Sequence, residues 1–206
     1  MSNVVRLIRK DCYLVRYFSC FAVAYNLFIL YNLPESSGLD VMITCLLLLM
    51  FGCSIEVRQN NWQYVMSLPV TRTEIVRAKY LSLIPYLLFA LLCSFVLSSV
   101  AGLLGIMEKS GYGNALILSI VLIPIGAALY LPVYFGMEYR KVMNTLFNVS
   151  TSLLIISAAK LDVDVLIAQE LGYTGLPDTL LLAGAGVCDL LLLYASYRLS
   201  LVLFRS

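Results

Sequence analysis

Asp189 is the one ionisable residue well inside a long apolar run, and it stands alone there. A carboxylate at that depth costs roughly 2.5–3.5 kcal/mol to insert, so it must face protein or water, or stay protonated. It follows Gly184-Ala185-Gly186, small residues that permit close helix packing. Two roles fit it equally: a polar point on a substrate path or subunit interface, or a hydrogen-bonded packing residue. The chain has no histidine, which disfavours zinc hydrolases and imidazole-based triads. No G-x-x-x-x-G-K-[ST] occurs, so the chain has no P-loop with which to hydrolyse nucleotide. The six cysteines form no C-x-x-C pair, and Cys20, Cys45, Cys53, Cys93 and Cys188 fall in apolar runs, as small apolar thiols do. An intramembrane enzyme would need paired carboxylates or a nucleophile with its base. Neither surrounds Asp189, so the chain reads as no enzyme, with no catalytic, cofactor or metal site of its own.

The elements that must position these residues are helices in a membrane. Residues of the AVILMFWYC set make up 61% of the 206, and Asp, Glu, Lys and Arg only 13%, about half the share usual in soluble domains. A soluble fold of this size cannot hide that much apolar surface. The formal net charge of +2 and scattered cations give no nucleic-acid footprint. Stretches between charged residues define six spans, at 17–34, 41–55, 80–105, 114–136, 142–159 and 179–202. Crossing the hydrocarbon takes roughly 20 apolar residues. The second run, between Asp40 and Glu56, is the short one, and is expected to thin the bilayer or snorkel its flanks. Ala22-Val23-Ala24 resembles a signal-peptide cleavage site, but the apolar stretch before it is short and its basic start long, so the segment reads as retained.

Orientation follows from lysine and arginine. With the N-terminus in the cytoplasm, only Lys109 and Lys160 fall outside, and the other twelve of the 14 cations fall inside. The bias holds loop by loop, which supports an even number of spans and two cytoplasmic ends. The expected architecture is an all-α integral membrane fold in a single domain, 1–206, in a multi-pass cell membrane protein.

Two cytoplasmic segments have patterns of their own. In residues 1–16, Val4, Val5, Ile8 and Cys12 form a helical stripe flanked by Arg6, Arg9, Lys10 and Arg16. Such a helix suits the membrane interface, its cations near acidic headgroups; the alternative is a simple cytoplasmic extension of span one. Between spans two and three, Trp62, Val65 and Met66 fall at helical spacing before Pro69. Thr71 and Glu74 then form a T-x-x-E capping box, with Val70 and Ile75 placed as its hydrophobic staple. One short helix therefore ends near Leu68, the chain turns at Pro69, and a new helix starts at Thr71. A rigid elbow of this kind either contacts another protein or sets the angle of span three. The residues alone leave both open.

Trp62, then Ser67-Leu68-Pro69-Val70-Thr71-Arg72, Glu74-Ile75-Val76 and Lys79-Tyr80 resemble the pattern of small type-2 ABC exporter permeases. Leu131-Pro132-Val133-Tyr134-Phe135-Gly136, with Tyr139-Arg140-Lys141 beyond it, resembles a second pattern of the same family. The resemblance implies a six-span membrane subunit of a bacterial exporter for amphipathic peptides, lipids or drugs. It makes the elbow a coupling helix. Ser67, Leu68, Pro69, Val70, Thr71 and Arg72 would meet an ATPase subunit, Glu74 would cap, and Lys79 would anchor the start of span three. ATP and magnesium would sit on that ATPase, present in two copies beside a second, identical or related permease. The longest outer loop carries Asp162, Asp164 and Glu170; the family places short gate helices there, while charge alone favours a solvated loop. The rival is a non-transporting membrane scaffold or immunity protein, which would have the spans without an ATPase partner.

Overall fold

A computed structural model describes residues 3–32, 39–58, 67, 69–103, 112–136 and 178–204. Among these, all regular structure is helical: α1 (Asn3–Asn32), α2 (Leu39–Arg58), α3 (Arg72–Leu81), α4 (Leu83–Leu103), α5 (Tyr112–Gly136) and α6 (Asp178–Leu203). The fifth expected span, the outer loop with Asp162, Asp164 and Glu170, and the stretch around Trp62 lie outside the described residues, as does Leu68.

Of the two readings of residues 1–16, an interfacial helix or a cytoplasmic extension of span one, the continuous helix favours the second: α1 runs unbroken for 30 residues from Asn3 to Asn32. The reason lies on its inner face. Leu7, Asp11, Val15, Ala22 and Asn26 are buried in one line, at the spacing of a single helix face. Val4, Ile8 and Cys12, the stripe expected to meet lipid, pack against the protein core instead. The N-terminal third of α1 is thus held by protein.

The second run is longer than its uncharged stretch. Helix α2 has 20 residues, about 30 Å at 1.5 Å per residue, because it includes the charges that bounded the run. Asp40 in its first turn accepts a hydrogen bond from Ser94 Oγ of α4 at 3.1 Å. Glu56 in its last turn is buried among cations. Along the middle, Thr44 Oγ1 donates to Asn26 Oδ1 at 2.8 Å, and Phe18 stacks on Phe51 with centroids 4.9 Å apart. These contacts fasten α1 to α2.

Helix α3 leads into α4 across one break. Pro85 lacks the N–H that would bond the Leu81 carbonyl, and its ring crowds that position. The chain accordingly turns at Ser82, which keeps an α conformation, φ −67° and ψ −14°. Its Oγ donates to the Lys79 carbonyl at 2.8 Å. Pro124 and Pro132 sit inside α5 without ending it.

Three glycines sit at close helix crossings. A Cβ at Gly52 of α2 would lie 3.1 Å from Val15 Cγ2 of α1 and 3.2 Å from Tyr86 Oη of α4. At Gly126 it would lie 2.8 Å from Leu46 Cδ1, and at Gly136 3.0 Å from Leu203 Cδ1. Gly52→Leu should therefore overpack three helices and destabilise by about 1–3 kcal/mol, read as a lower Tm in detergent, with Gly52→Ala much closer to wild type.

The outward faces are apolar. Leu88, Leu92 and Phe95 on α4, Leu129 on α5, and Leu190, Leu191 and Val202 on α6 are all exposed. Three stretches of the described residues, Arg72–Val100, Ser119–Gly136 and Gly184–Leu203, are long and apolar enough to cross a membrane. Apolar surface of this extent suits lipid and not water.

Candidate functional site: a capped elbow tied to a buried ion cluster

The capping box forms as the sequence predicts. Thr71 is the N-cap of α3, with φ −77° and ψ 150°. Its Oγ1 accepts from the Glu74 backbone N–H at 3.3 Å, and Glu74 Oε2 accepts from the Thr71 N–H at 2.8 Å. Both orphan donors of the helix start are thereby satisfied. Asn3 of α1 adds a 3.4 Å bond to the same carboxylate. Val70 packs against the core that buries Ile75, so the staple residues hold the turn on the inner side. Ser67, Pro69 and Thr71 remain exposed on the outer side.

Arg72 has an internal partner. Its Nη1 donates to the Phe204 carbonyl at 3.0 Å, and its guanidinium lies 5.6 Å from the Phe204 ring centroid. It therefore caps the end of α6, where helix carbonyls lack partners and a cation is favoured. One turn on, Arg77 Nε donates to Tyr197 Oη at 3.1 Å. Tyr80 Oη lies 2.6 Å from Ser196 Oγ and 2.9 Å from Ser200 Oγ. Ser196 in turn donates to the Ala128 carbonyl of α5 at 2.7 Å. One side of α3 is thus clasped to α6.

Lys79, expected as an anchor, is the centre of something larger. Its Nζ lies 3.0 Å from Asp11 Oδ2 of α1 and 2.7 Å from Glu56 Oε2 of α2. Lys10 Nζ also pairs with Glu56 and lies 3.4 Å from Asp11 Oδ1. Tyr134 of α5 donates to Glu56 Oε2 at 3.0 Å. Asp11, Glu56 and Lys79 are each less than 5% exposed, so two carboxylates and two ammonium groups balance where water is scarce. Glu56 lies in the last turn of α2, beyond the apolar run. Burial by itself would raise its pKa, but Lys79 first and Lys10 second outweigh that and hold the carboxyl below its usual range. Asp11 Oδ1 is the one buried side-chain polar atom among the described residues without a hydrogen bond, so the network is tight but not saturated.

The cluster joins the two motif regions. Tyr134 meets Phe135 edge-on with centroids 5.1 Å apart, and Phe135 lies 5.4 Å from Phe204, the residue that holds Arg72. A chain of contacts therefore leaves α3 at Lys79, crosses α2, α5 and α6, and returns to α3 at Arg72. The sequence reading placed Lys79 but missed Asp11, Glu56 and Tyr134 as its partners. One signal was available: Asp11 occupies the buried line of α1, where an acid needs a cation.

Asp189 is 8% exposed, turned away from the outward Val187, Leu190 and Leu191. A Cβ at Gly184 or Gly186 meets no atom within 4 Å, so the expected close packing at these glycines is not made among the described residues. Asp189 stands apart from the ion cluster, on another helix. All six cysteines are free, Cys45 and Cys53 buried, Cys20 and Cys188 exposed.

An all-helical bundle with lipid-suited faces and a capped elbow packed onto it defines a multi-pass membrane protein. The sequence model described as "ABC-2 family transporter protein" matches residues 6–205, and the chain belongs to that family. It is a membrane component of an ABC transporter, a class that works with an ABC ATPase subunit. No curated protein and no solved structure matches the chain.

Proposed function

We propose that this chain is the permease subunit of an ABC exporter, a six-span protein of a bacterial cytoplasmic membrane with both ends in the cytoplasm. It works as a pair of permeases with two ATPase subunits, which bind ATP and magnesium. The observation that carries the reading is the bond pattern of α3. A helix capped at Thr71 for stiffness, preceded by the exposed Ser67 and Pro69, and fixed at Lys79 to Asp11 of α1 and to Glu56 of α2, which also holds Tyr134 of α5, has the build of a lever. Its outer end meets the ATPase. Its inner end moves spans.

The physical logic is that ATP binding on a partner shifts the permease only through contacts that differ between two states. A floppy loop would absorb such a change; a capped helix with a four-group ion cluster at its far end transmits it. Arg72, exposed next to Thr71, holds the end of α6 and is assigned with Ser67, Leu68, Pro69, Val70 and Thr71 to the ATPase contact. The acidic residues Asp162, Asp164 and Glu170 are assigned to the outer mouth, and Asp189 to the path or the interface between permeases. Amphipathic peptides, lipids and drugs are the substrate classes this family resemblance suggests.

The test is purification in mild detergent from the native host, with mass spectrometry of the proteins that accompany the chain. A P-loop ATPase in near-stoichiometric amount is the expected result. Its absence under several mild conditions would overturn the reading and favour a membrane scaffold.

A further inference from the structure

The outer face of α1 separates its charges from the inner face. Asp11 turns inward to Lys79, while Arg6, Arg9 and Arg16 are exposed on the opposite side. No carboxylate lies on that exposed face among the described residues of α1. Tyr13 and Tyr17 share the face with Arg16 and are 60% and 71% exposed. The Arg16 guanidinium lies 4.0 Å from the Tyr13 ring centroid and 4.4 Å from that of Tyr17, and donates one hydrogen bond to Tyr17 Oη. A stacked guanidinium keeps its edge, with the remaining N–H donors, for a planar or tetrahedral oxyanion.

Further along the same face, Cys20, Ala24 and Leu27 are exposed and apolar. Leu27 is 50% exposed, while Phe21 lies at the flank, edge-on to Phe51 of α2. The order along the helix is therefore cations, then stacked aromatics, then an apolar strip. Arg16 lies five residues beyond Asp11, about 7.5 Å along the axis, so this aromatic level also marks the membrane boundary beside the ion cluster.

The geometry points to a binding site for an anionic phospholipid on this face, its phosphate on the edge of Arg16, supported by Arg9, and its acyl chain along Cys20, Ala24 and Leu27. Charge complementarity selects the occupant: a zwitterionic headgroup leaves the three arginines without net compensation, whereas an anionic one balances them in part. Each cation near such a surface contributes about five-fold in affinity. The inference requires membrane insertion only and is independent of ATPase coupling.

The test uses the purified full-length chain with equimolar phosphatidylglycerol and phosphatidylcholine in detergent, the bound lipids being counted by native mass spectrometry. Wild type should retain phosphatidylglycerol about five-fold or more over phosphatidylcholine. Arg16→Gln should lose most of that preference, Arg16→Lys should keep part of it, and Arg77→Gln should keep all of it. Equal retention of the two lipids by wild type would overturn the proposal. So would an unchanged preference in Arg16→Gln, including the case where that variant changes only the oligomeric state, which would give the face to a second copy. Because Arg16 is exposed, an unaltered elution profile separates lost lipid from lost fold.

Discussion

Lys79→Met should lower the stability of the detergent-solubilised protein by about 3–5 kcal/mol, the cost of leaving buried carboxylates without their cation. Asp11 and Glu56 are both 2% exposed and cannot reach water without opening α1 from α2. Lys10, with its side chain 28% exposed, still faces Glu56 but contacts Asp11 only at 3.4 Å. At about 2–4 °C per kcal/mol for a chain of this size, the Tm should fall by about 10 °C. The companion variant decides the cause. In Asp11→Asn/Glu56→Gln/Lys79→Met the three buried members of the cluster are neutral and only the part-exposed Lys10 keeps its charge, so most of the loss should return, because neutral replacement of buried ion partners is commonly near-neutral in stability. If the single variant loses little, the cluster is solvated and the lever has no fixed end.

Pro69→Arg should leave the permease folded and release the ATPase. Pro69 is exposed beside the N-cap, and an exposed substitution outside a special contact changes stability by about 0.5 kcal/mol or less. At the centre of a protein interface, however, a long cation in place of a rigid ring should cost about 2 kcal/mol or more, about 30-fold in affinity. Thr71→Arg is the less clean variant, because it also removes the cap, worth about 1 kcal/mol. Co-purified ATPase per permease measures both. Full retention of ATPase by Pro69→Arg would move the contact away from the elbow.

The sequence carried the capped start of α3, because its signals are local. A capping box needs only Thr71 and Glu74, three residues apart, whereas the short helix expected before Pro69 lies outside the described residues. The helix running from the elbow into the third span was legible for the same reason, and Pro85 accounts for the break within it. The ion cluster was not legible, because its members come from four helices and no spacing rule links Asp11 to Lys79 or Glu56 to Tyr134. Counting spans between charged residues does not give helix ends. It set the second span between Asp40 and Glu56, although both fold into α2 once Ser94 and Lys79 supply partners. It began span one after Arg16, although α1 runs through that residue from Asn3. At α2, long-range pairing cancelled charges that local reasoning had to assign to water.

The most direct test of the lever compares ATP hydrolysis by the reconstituted complex of wild-type permease and ATPase with that of the Asp11→Asn/Glu56→Gln/Lys79→Met complex, after both are shown to assemble in the same ratio. The triple variant should bind the ATPase normally while its hydrolysis rate falls to that of the ATPase subunit alone, because the elbow no longer engages the spans. A fully assembled variant complex that hydrolyses ATP at the wild-type rate would contradict the lever.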